Sequence, residues 1–133
     1  MMGSIGSMIS DKTLQTMELA LDARMARHQA IASNISNVNT PGYKRLDISK
    51  TFEAEYKSAL QQIENGAVIE DRPTPALATS SIHGKTRLDG NNVNMEQEVL
   101  ELSKNLLEYE FANQILQSKF SGLKKAIGGS GGG

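Results

Sequence analysis

The chain has 133 residues, with 14 Lys and Arg against 15 Asp and Glu, no Cys, no Trp and an aromatic share of 5%. Such a length supports one small domain, and an apolar share of 38% is low for a large self-contained core. The net charge of −1 gives no basic surface for phosphates, so nucleic acid is not an expected partner. The lack of Cys excludes disulfide scaffolds, thiol nucleophiles and Cys-based zinc sites.

Composition and periodicity divide the chain into five segments. No apolar run approaches the about 20 residues of a membrane-spanning helix, and the first residues lack the pattern of a cleaved secretion signal. We predict a flexible N-terminus over 1–10, a helix and turn motif over 11–45, a small central segment over 46–93, a second helix over 94–127 and a Gly-rich tail or linker over 128–133.

The first helix is predicted to begin at a cap on Asp11 and to end near Val38. Its apolar residues recur at spacings of three and four, which places them on one helix face. The middle of this seam is more polar, at Arg24/Met25 and His28. The apolar members of this first seam are Leu14, Met17, Leu21, Ile31 and Ile35.

The second helix carries an uninterrupted heptad seam, which is typical of a coiled coil. Asn94 is predicted to cap it, and the Glu-rich stretch from Glu96 to Glu110 is predicted to be a solvated face. Asn113, the polar member of the seam, either fixes register or is solvated or bonded locally. The seam consists of Met95, Val99, Leu102, Leu106, Tyr109, Asn113, Leu116, Phe120, Leu123 and Ile127.

These patterns predict a mainly α fold. The two long terminal helices pack as an antiparallel coiled-coil hairpin, with a small irregular or β-containing segment between them. Since a two-helix pair leaves much of each helix exposed, we expect neighbouring subunits to complete the core. Within the central segment, the spacing from Phe52 to Ile63 predicts a short helix that ends at Asn65-Gly66, and 67–69 and 77–79 are predicted as short strands.

Residues for catalysis are scarce. The two histidines, His28 and His83, have no Cys or HExxH-type partner, and we predict structural roles for both. The run 89–94 superficially resembles a calcium loop, but Val93 takes its fifth position and Asn94 stands where Gly is required. The sequence therefore predicts no enzyme, no cofactor and no metal.

The most specific segment is the run 31–44, in which a helix end leads into a tight turn. Asn tolerates left-handed backbone and bonds nearby peptide groups. Pro41 suits the second position of a type II turn, and Gly42 supplies the positive φ of the third. Tyr43 can then bury its ring while its hydroxyl finds a partner.

At 32–44 the sequence resembles the N-terminal signature of bacterial flagellar axial proteins, the family of rod, hook and hook-associated subunits. The run 88–94 followed by Glu96 and Glu98, then Asn105, Tyr109 and the closing 119–124, resembles proximal-rod subunits within that family. The resemblance covers nearly the whole chain from Asp11 to Ile127. It implies turn and interface roles for Asn34, Asn37, Asn39, Thr40, Pro41, Gly42, Tyr43, Asp89, Gly90, Asn91 and Asn92.

The resemblance also implies a place and partners. Family members pack their terminal helices as the inner layer of a hollow helical tube, which transmits torque for motility. They are exported by the flagellar type III apparatus without signal cleavage and lie in the basal-body rod in the periplasm. The implied partners are other copies, other proximal rod proteins, and rod-adaptor and export-gate proteins at the membrane ring. Two alternatives to the function of a proximal-rod subunit stay open. The chain is another short axial rod subunit of the same tube, or it is a helical export chaperone or adaptor module.

Overall fold

The computed structural model describes residues 12–82 and 84–128, so the predicted cap on Asp11, the predicted N-terminus 1–10, His83 and the tail residues 129–133 lie outside the described part. Within the described residues, three helices and two short strands alternate. They are α1 (Lys12–Ser36), β1 (Leu46–Ile48), α2 (Lys50–Glu64), β2 (Leu77–Thr79) and α3 (Met95–Gly128).

The two long helices α1 and α3 pack along each other. Arg24 of α1 pairs with Glu108 of α3, and Arg27 of α1 pairs with Glu101 of α3. The two helices therefore run in opposite directions. This antiparallel pair confirms the predicted mainly α hairpin. None of the described helices is long and apolar enough to cross a membrane.

Helix α2 packs against the first half of α1. Ser49 caps α2 by accepting the Phe52 N–H at 3.1 Å. Asn65 caps the other end of the helix and is followed by Gly66, which has φ +92°. Leu19 of α1 packs with Ala59 and Ile63 of α2 in a small apolar core. The predicted central helix and its Asn-Gly end are confirmed.

The two-stranded sheet joins β1 to β2 in antiparallel register, with Leu46 opposite Thr79 and Ile48 opposite Leu77. The prediction of a strand over 67–69 is wrong, whereas the prediction over 77–79 is confirmed. Ile69 packs onto the core of Leu19, Ala59 and Ile63, and its N–H bonds the Gln15 side chain at 2.8 Å instead of a strand. A hydrogen bond to a side chain and apolar packing thus take the place of the backbone hydrogen bonds that a strand would need.

The face of α3 that contacts α1 is rotated away from the centre of the predicted seam. Its buried residues are Glu98, Asn105 and Ala112, which are spaced by seven. Partly buried seam members are Leu102, Tyr109, Asn113, Leu116 and Leu123. Exposed seam members are Met95, Val99, Leu106, Phe120 and Ile127. The hairpin therefore covers only part of the predicted seam, and the polar contacts of Glu98 and Asn105 lie on the face of α3 that meets α1.

Helix α1 buries a line rich in alanine. Small side chains let the neighbouring elements approach its backbone closely. The buried residues are Leu14, Leu19, Ala23, Ala26, Ala30, Ile31 and Asn34. The remaining apolar members of the predicted first seam, Met17, Leu21 and Ile35, are partly buried.

Candidate functional site

The turn that follows α1 meets the turn that precedes α3. The Tyr43 N–H bonds the Thr40 carbonyl at 3.2 Å, and Gly42 has φ +76°, as a type II turn with Gly at its third position requires. The Gly42 N–H in turn bonds the Asp89 carbonyl at 2.8 Å. The two predicted motifs therefore form one structure, which we call the turn cluster: residues 34–45 and 87–93 together with Ser80 and Glu98.

Asn34 is fully buried, and its side-chain amide bonds the backbone of β1 as the peptide group of a neighbouring strand would. Its Nδ2 donates to the Leu46 carbonyl at 2.9 Å, and its Oδ1 accepts the Leu46 N–H at 2.7 Å. Oδ1 also accepts the Tyr43 hydroxyl at 3.0 Å, and Nδ2 donates to Glu98 at 3.2 Å. One side chain thus ties the end of α1 to β1, to the turn and to α3.

Asn91, also fully buried, holds the turn that follows the first helix. Its Nδ2 donates to the carbonyls of Asn37, Val38 and Thr40 at 2.9, 3.2 and 2.8 Å. Its Oδ1 accepts the Val93 N–H at 2.7 Å. These three carbonyls lie beyond Ser36, the last residue of α1, so a residue more than fifty positions later holds the turn that follows the helix.

Asn92 joins the sheet to the cluster. Its Oδ1 accepts the Arg45 N–H at 2.6 Å, and its Nδ2 donates to the Ser80 carbonyl at 3.1 Å. Asp89, at the other end of the run, accepts the Asn91 N–H at 3.0 Å. That backbone bond, assisted by Arg87, lowers the pKa of Asp89. Its carboxylate therefore stabilises the fold above its unfolded-state pKa, and this contribution is lost as pH falls through the lowered value.

The turn cluster also contains a buried ion pair. The Arg45 Nε donates to Glu98 at 2.6 Å, and neither side chain is exposed. The same guanidinium contacts Ser80 at 3.0 Å and Asp47 at 3.5 Å, but its second terminal nitrogen, Nη2, is buried without a partner among the described residues. A buried N–H group without a hydrogen-bond partner lowers the stability of the fold. This corner of the fold therefore depends on specific polar contacts and not on apolar packing.

Further ion pairs extend the polar contact along the hairpin. Arg27 bridges Asp47 and Glu101, and Arg24 pairs with Glu108. The prediction that Glu96 to Glu110 form a solvated face is therefore wrong at Glu98, which is buried, and at Glu101 and Glu108, which are partly buried and paired. Three arginines opposite these glutamates explain the difference.

The remaining motif residues lie at the surface of the cluster. Thr40 donates to the Asn37 side chain at 3.0 Å, and the Asn37 amide donates to the Ser33 carbonyl at 2.9 Å. Asn39, Thr40 and Pro41 are exposed. Sequence reasoning missed Arg45, Ser80 and Arg87 as members, since no local pattern marks them and their partners are distant in sequence.

The Gly42–Gly90 contact yields a stability prediction. A Cβ on Gly90, which has φ +84°, would lie 3.3 Å from the Gly42 Cα, whereas a Cβ on Gly66, at φ +92°, would meet nothing within 4 Å. We expect Gly66→Ala to cost about 1–2 kcal/mol of backbone strain. Gly90→Ala is expected to cost roughly 1–3 kcal/mol more because the crowded turn must shift. Urea unfolding of both variants measures the difference, and equal costs would contradict a tight contact.

Comparison with known proteins gives a consistent set of relatives. Residues 14–44 match the family described as Flagella basal body rod protein. The chain is similar to the flagellar basal body rod protein FlgB of Aeromonas hydrophila, at 33% identity over 90% of this chain and 95% of that protein. The FlgB proteins of Salmonella typhimurium, at 30% over 90% and 95%, and of Bacillus subtilis, at 27% over 88% and 94%, are similar over nearly the same extent.

Proposed function

This chain belongs to the FlgB family of flagellar basal body rod proteins, and we propose that it is a structural subunit of the proximal rod. In this role copies of the chain and other rod proteins form the wall of a hollow helical tube that transmits torque for motility. The observation that carries the proposal is the similarity to FlgB proteins along almost the full length of both chains.

The exposed apolar surface of α3 supports assembly. The large apolar side chains of α3 that are more than two-fifths exposed are Met95, Val99, Leu100, Leu106, Leu107, Phe111, Phe120 and Ile127. A monomeric soluble protein rarely leaves contiguous apolar patches of this kind in water. Contact with other subunits would bury them, which also accounts for the low apolar share of the chain.

The turn cluster supports a role in transmitting torque. Hydrogen bonds of Asn34, Asn91 and Asn92 fix the end of α1 to the start of α3 at several points. A hairpin held in this way resists changes in the angle between its helices, because several buried hydrogen bonds would have to break together. In the proposed role the exposed motif residues Asn39 and Pro41 face neighbouring subunits.

The finer parts of the proposal concern place and partners. We propose that the chain acts in the periplasmic part of the basal body, after export by the flagellar type III apparatus without signal cleavage. Its neighbours there are other copies, other proximal rod proteins, and rod-adaptor and export-gate proteins at the membrane ring. The role is structural, and no catalytic residue is assigned.

The test is removal of the gene followed by imaging of isolated basal bodies. We expect rods to be absent, and the intact chain supplied in trans to restore both rods and swimming. The Phe111→Asp variant is expected to restore far less swimming than the matched Ser103→Asp variant, since both residues are exposed on α3 but only Phe111 is apolar. Complete rods in the deletion strain, with a partner protein degraded, would indicate a chaperone instead. A chain located above the distal rod would indicate another rod subunit.

A further inference from the structure

The end of helix α2 contains the only Asn-Gly pair in the chain, Asn65-Gly66. Both residues are exposed. In such a pair the backbone nitrogen of the glycine can attack the side-chain amide of the asparagine, because glycine has no side chain to hinder the approach. Of all the asparagines in the sequence, Asn65 is therefore the one whose side chain loses ammonia most easily on chemical grounds.

The folded chain holds this pair in a Schellman motif, a common way of ending an α-helix. The Gly66 N–H donates to the Ile63 carbonyl at 2.9 Å, and the Ala67 N–H donates to the Gln62 carbonyl at 2.9 Å. Gly66 has φ +92°, the positive φ that this motif requires. The nitrogen that would attack Asn65 is thus engaged in a hydrogen bond that ends the helix.

Contacts with α1 hold the last turn of α2 in place. Ile63 is only 1% exposed and packs with Leu19 of α1 and with Ala59. The Lys12 side chain, at the start of α1, donates to the Glu64 carbonyl at 2.9 Å. The turn that carries the Asn-Gly pair is therefore tied to the first helix by one apolar contact and one polar contact.

Attack on the side chain requires the last turn of α2 to open. Asn65 has φ −84° and ψ 8°, and this ψ angle must rotate before the Gly66 nitrogen can reach the side-chain carbonyl carbon. The rotation breaks the hydrogen bond from Gly66 to the Ile63 carbonyl. Helix ends open locally at a lower free energy than the whole fold does, so this local opening sets the rate of the reaction.

We propose that Asn65 is a deamidation site that the folded end of α2 protects. When the turn opens, the Gly66 nitrogen loses its proton and attacks the Asn65 Cγ. The N–Cγ bond forms, the Cγ–Nδ2 bond breaks, and ammonia leaves with the proton that Gly66 gave up. Water then adds to one of the two carbonyl carbons of the succinimide ring, which opens to aspartate or isoaspartate. The inference does not depend on the proposed function.

Neither product restores the original helix end. Isoaspartate adds a carbon atom to the backbone between residues 65 and 66, so the two hydrogen bonds of the Schellman motif no longer fit. Aspartate keeps the backbone but places a negative charge beside Glu64, at the negative end of the α2 dipole. Both products favour the open turn, and a chain that has once reacted keeps a weaker contact between α2 and α1.

The Asp89-Gly90 pair is an internal comparison, because an Asp-Gly pair forms the same ring with loss of water. The Gly90 N–H donates to the Arg87 carbonyl at 2.9 Å, and the Asp89 carboxylate accepts the Asn91 N–H at 3.0 Å. That backbone bond lowers the pKa of Asp89, and an ionised carboxylate is a poor electrophile. In the native chain we therefore expect the ring to form at Asn65 and not at Asp89.

Mass spectrometry of peptides from the purified full-length chain, incubated in mildly alkaline buffer, measures the reaction. We expect Asn65 in the native chain to deamidate about tenfold more slowly, or slower still, than in the same chain in guanidinium chloride, because only the opened turn reacts. Asn39 is also exposed but precedes Thr40, so it is the matched control and is expected to stay unmodified in both states. Equal rates at Asn65 in the two states would contradict protection by α2.

Two variants test the coupling to packing without altering the reacting pair. Leu19→Ala shortens the apolar partner of Ile63, and Lys12→Ala removes the bond to the Glu64 carbonyl. We expect both to raise the native rate several-fold and to leave the rate in guanidinium chloride unchanged. Lys12 lies at the surface, so its variant decides the question if Leu19→Ala unfolds the chain. Native rates that do not rise in the folded variants would overturn the proposal.

The modified chain itself tests the structural consequence. Deamidation adds a negative charge, so ion exchange separates the product from the unmodified chain. We expect the product to unfold at a lower urea concentration, with Asn65→Asp as the reference for the product that keeps the normal backbone. An unfolding midpoint that deamidation leaves unchanged would show that the helix end tolerates the modification, contrary to the proposal.

Discussion

Replacing Asn34 with leucine is expected to lower the free energy of unfolding by about 3–5 kcal/mol, a large part of the about 5–15 kcal/mol that stabilises a typical domain. Leucine has a similar size, so the loss comes from hydrogen bonds. The substitution would leave the N–H and carbonyl of the partly buried Leu46 without the partners they have at 2.7 and 2.9 Å. Each buried polar group without a partner costs about 1–3 kcal/mol, and Tyr43 and Glu98 each lose one bond more.

The measurement is urea unfolding of the purified chain, with Asn39→Leu as the matched control. Asn39 belongs to the same Asn-rich motif but is exposed, and a surface substitution of this kind changes stability by about 0.5 kcal/mol or less. We expect a clear midpoint shift for the Asn34 variant alone. Similar midpoints for both variants would mean that the Asn-rich motif acts as an ordinary helix end.

Local chemistry determines the elements that sequence reasoning predicted correctly. The helices follow from apolar residues at helical spacing. The start of α3 follows from Asn94, whose side chain accepts the Gln97 N–H at 3.1 Å. The turn at Pro41-Gly42 follows from the φ values that these two residue types favour. Each of these features depends on residues within a few positions of one another, so a single sequence is sufficient to identify them.

Strand β1 and the rotation of α3 depend on distant residues and were not predictable in this way. Strand β1 has only three residues, and its register is set by β2 and by the Asn34 side chain. The heptad pattern finds the apolar stripe of α3 but does not say which partner covers it. Within one chain the polar line of Glu98 and Asn105 faces α1, and much of the apolar stripe stays exposed.

Most residues of the candidate site were predicted from the sequence, but the contacts between them were not. The two Asn-rich runs stand out in the sequence separately, one after the first helix and one before the second. Their direct contact, at Gly42 and Gly90, exists only in the closed antiparallel hairpin. Arg45 carries no local signal, because a single Arg before a strand is ordinary on the surface of a protein. Only the closed hairpin makes it a buried ion-pair partner of Glu98.

Removing one partner of that buried pair is expected to destabilise the fold by about 3–5 kcal/mol, because the other charge stays buried without compensation. Arg45→Met leaves Glu98 with only the Asn34 amide among its described partners, and Glu98→Leu leaves the guanidinium with Ser80 and Asp47. Urea unfolding of both variants gives the costs. Glu53→Gln is the matched control, since Glu53 pairs with Lys57 at 3.6 Å on the exposed face of α2. Such a pair contributes about 0.5 kcal/mol or less.

The double variant Arg45→Met/Glu98→Leu distinguishes the effect of the ion pair on the stability of the fold from its effect on the angle of α3. With both charges removed, the apolar replacements can pack, so we expect the double variant to be less destabilised than the sum of the single variants. We nevertheless expect it to restore swimming poorly in a strain that lacks the chain, because the ion pair, together with Asn34, sets the angle at which α3 leaves the turn cluster. A stable double variant that swims normally would show that apolar packing alone can set that angle. The buried pair would then be dispensable for the rod, and the asparagines would be sufficient to hold the hairpin.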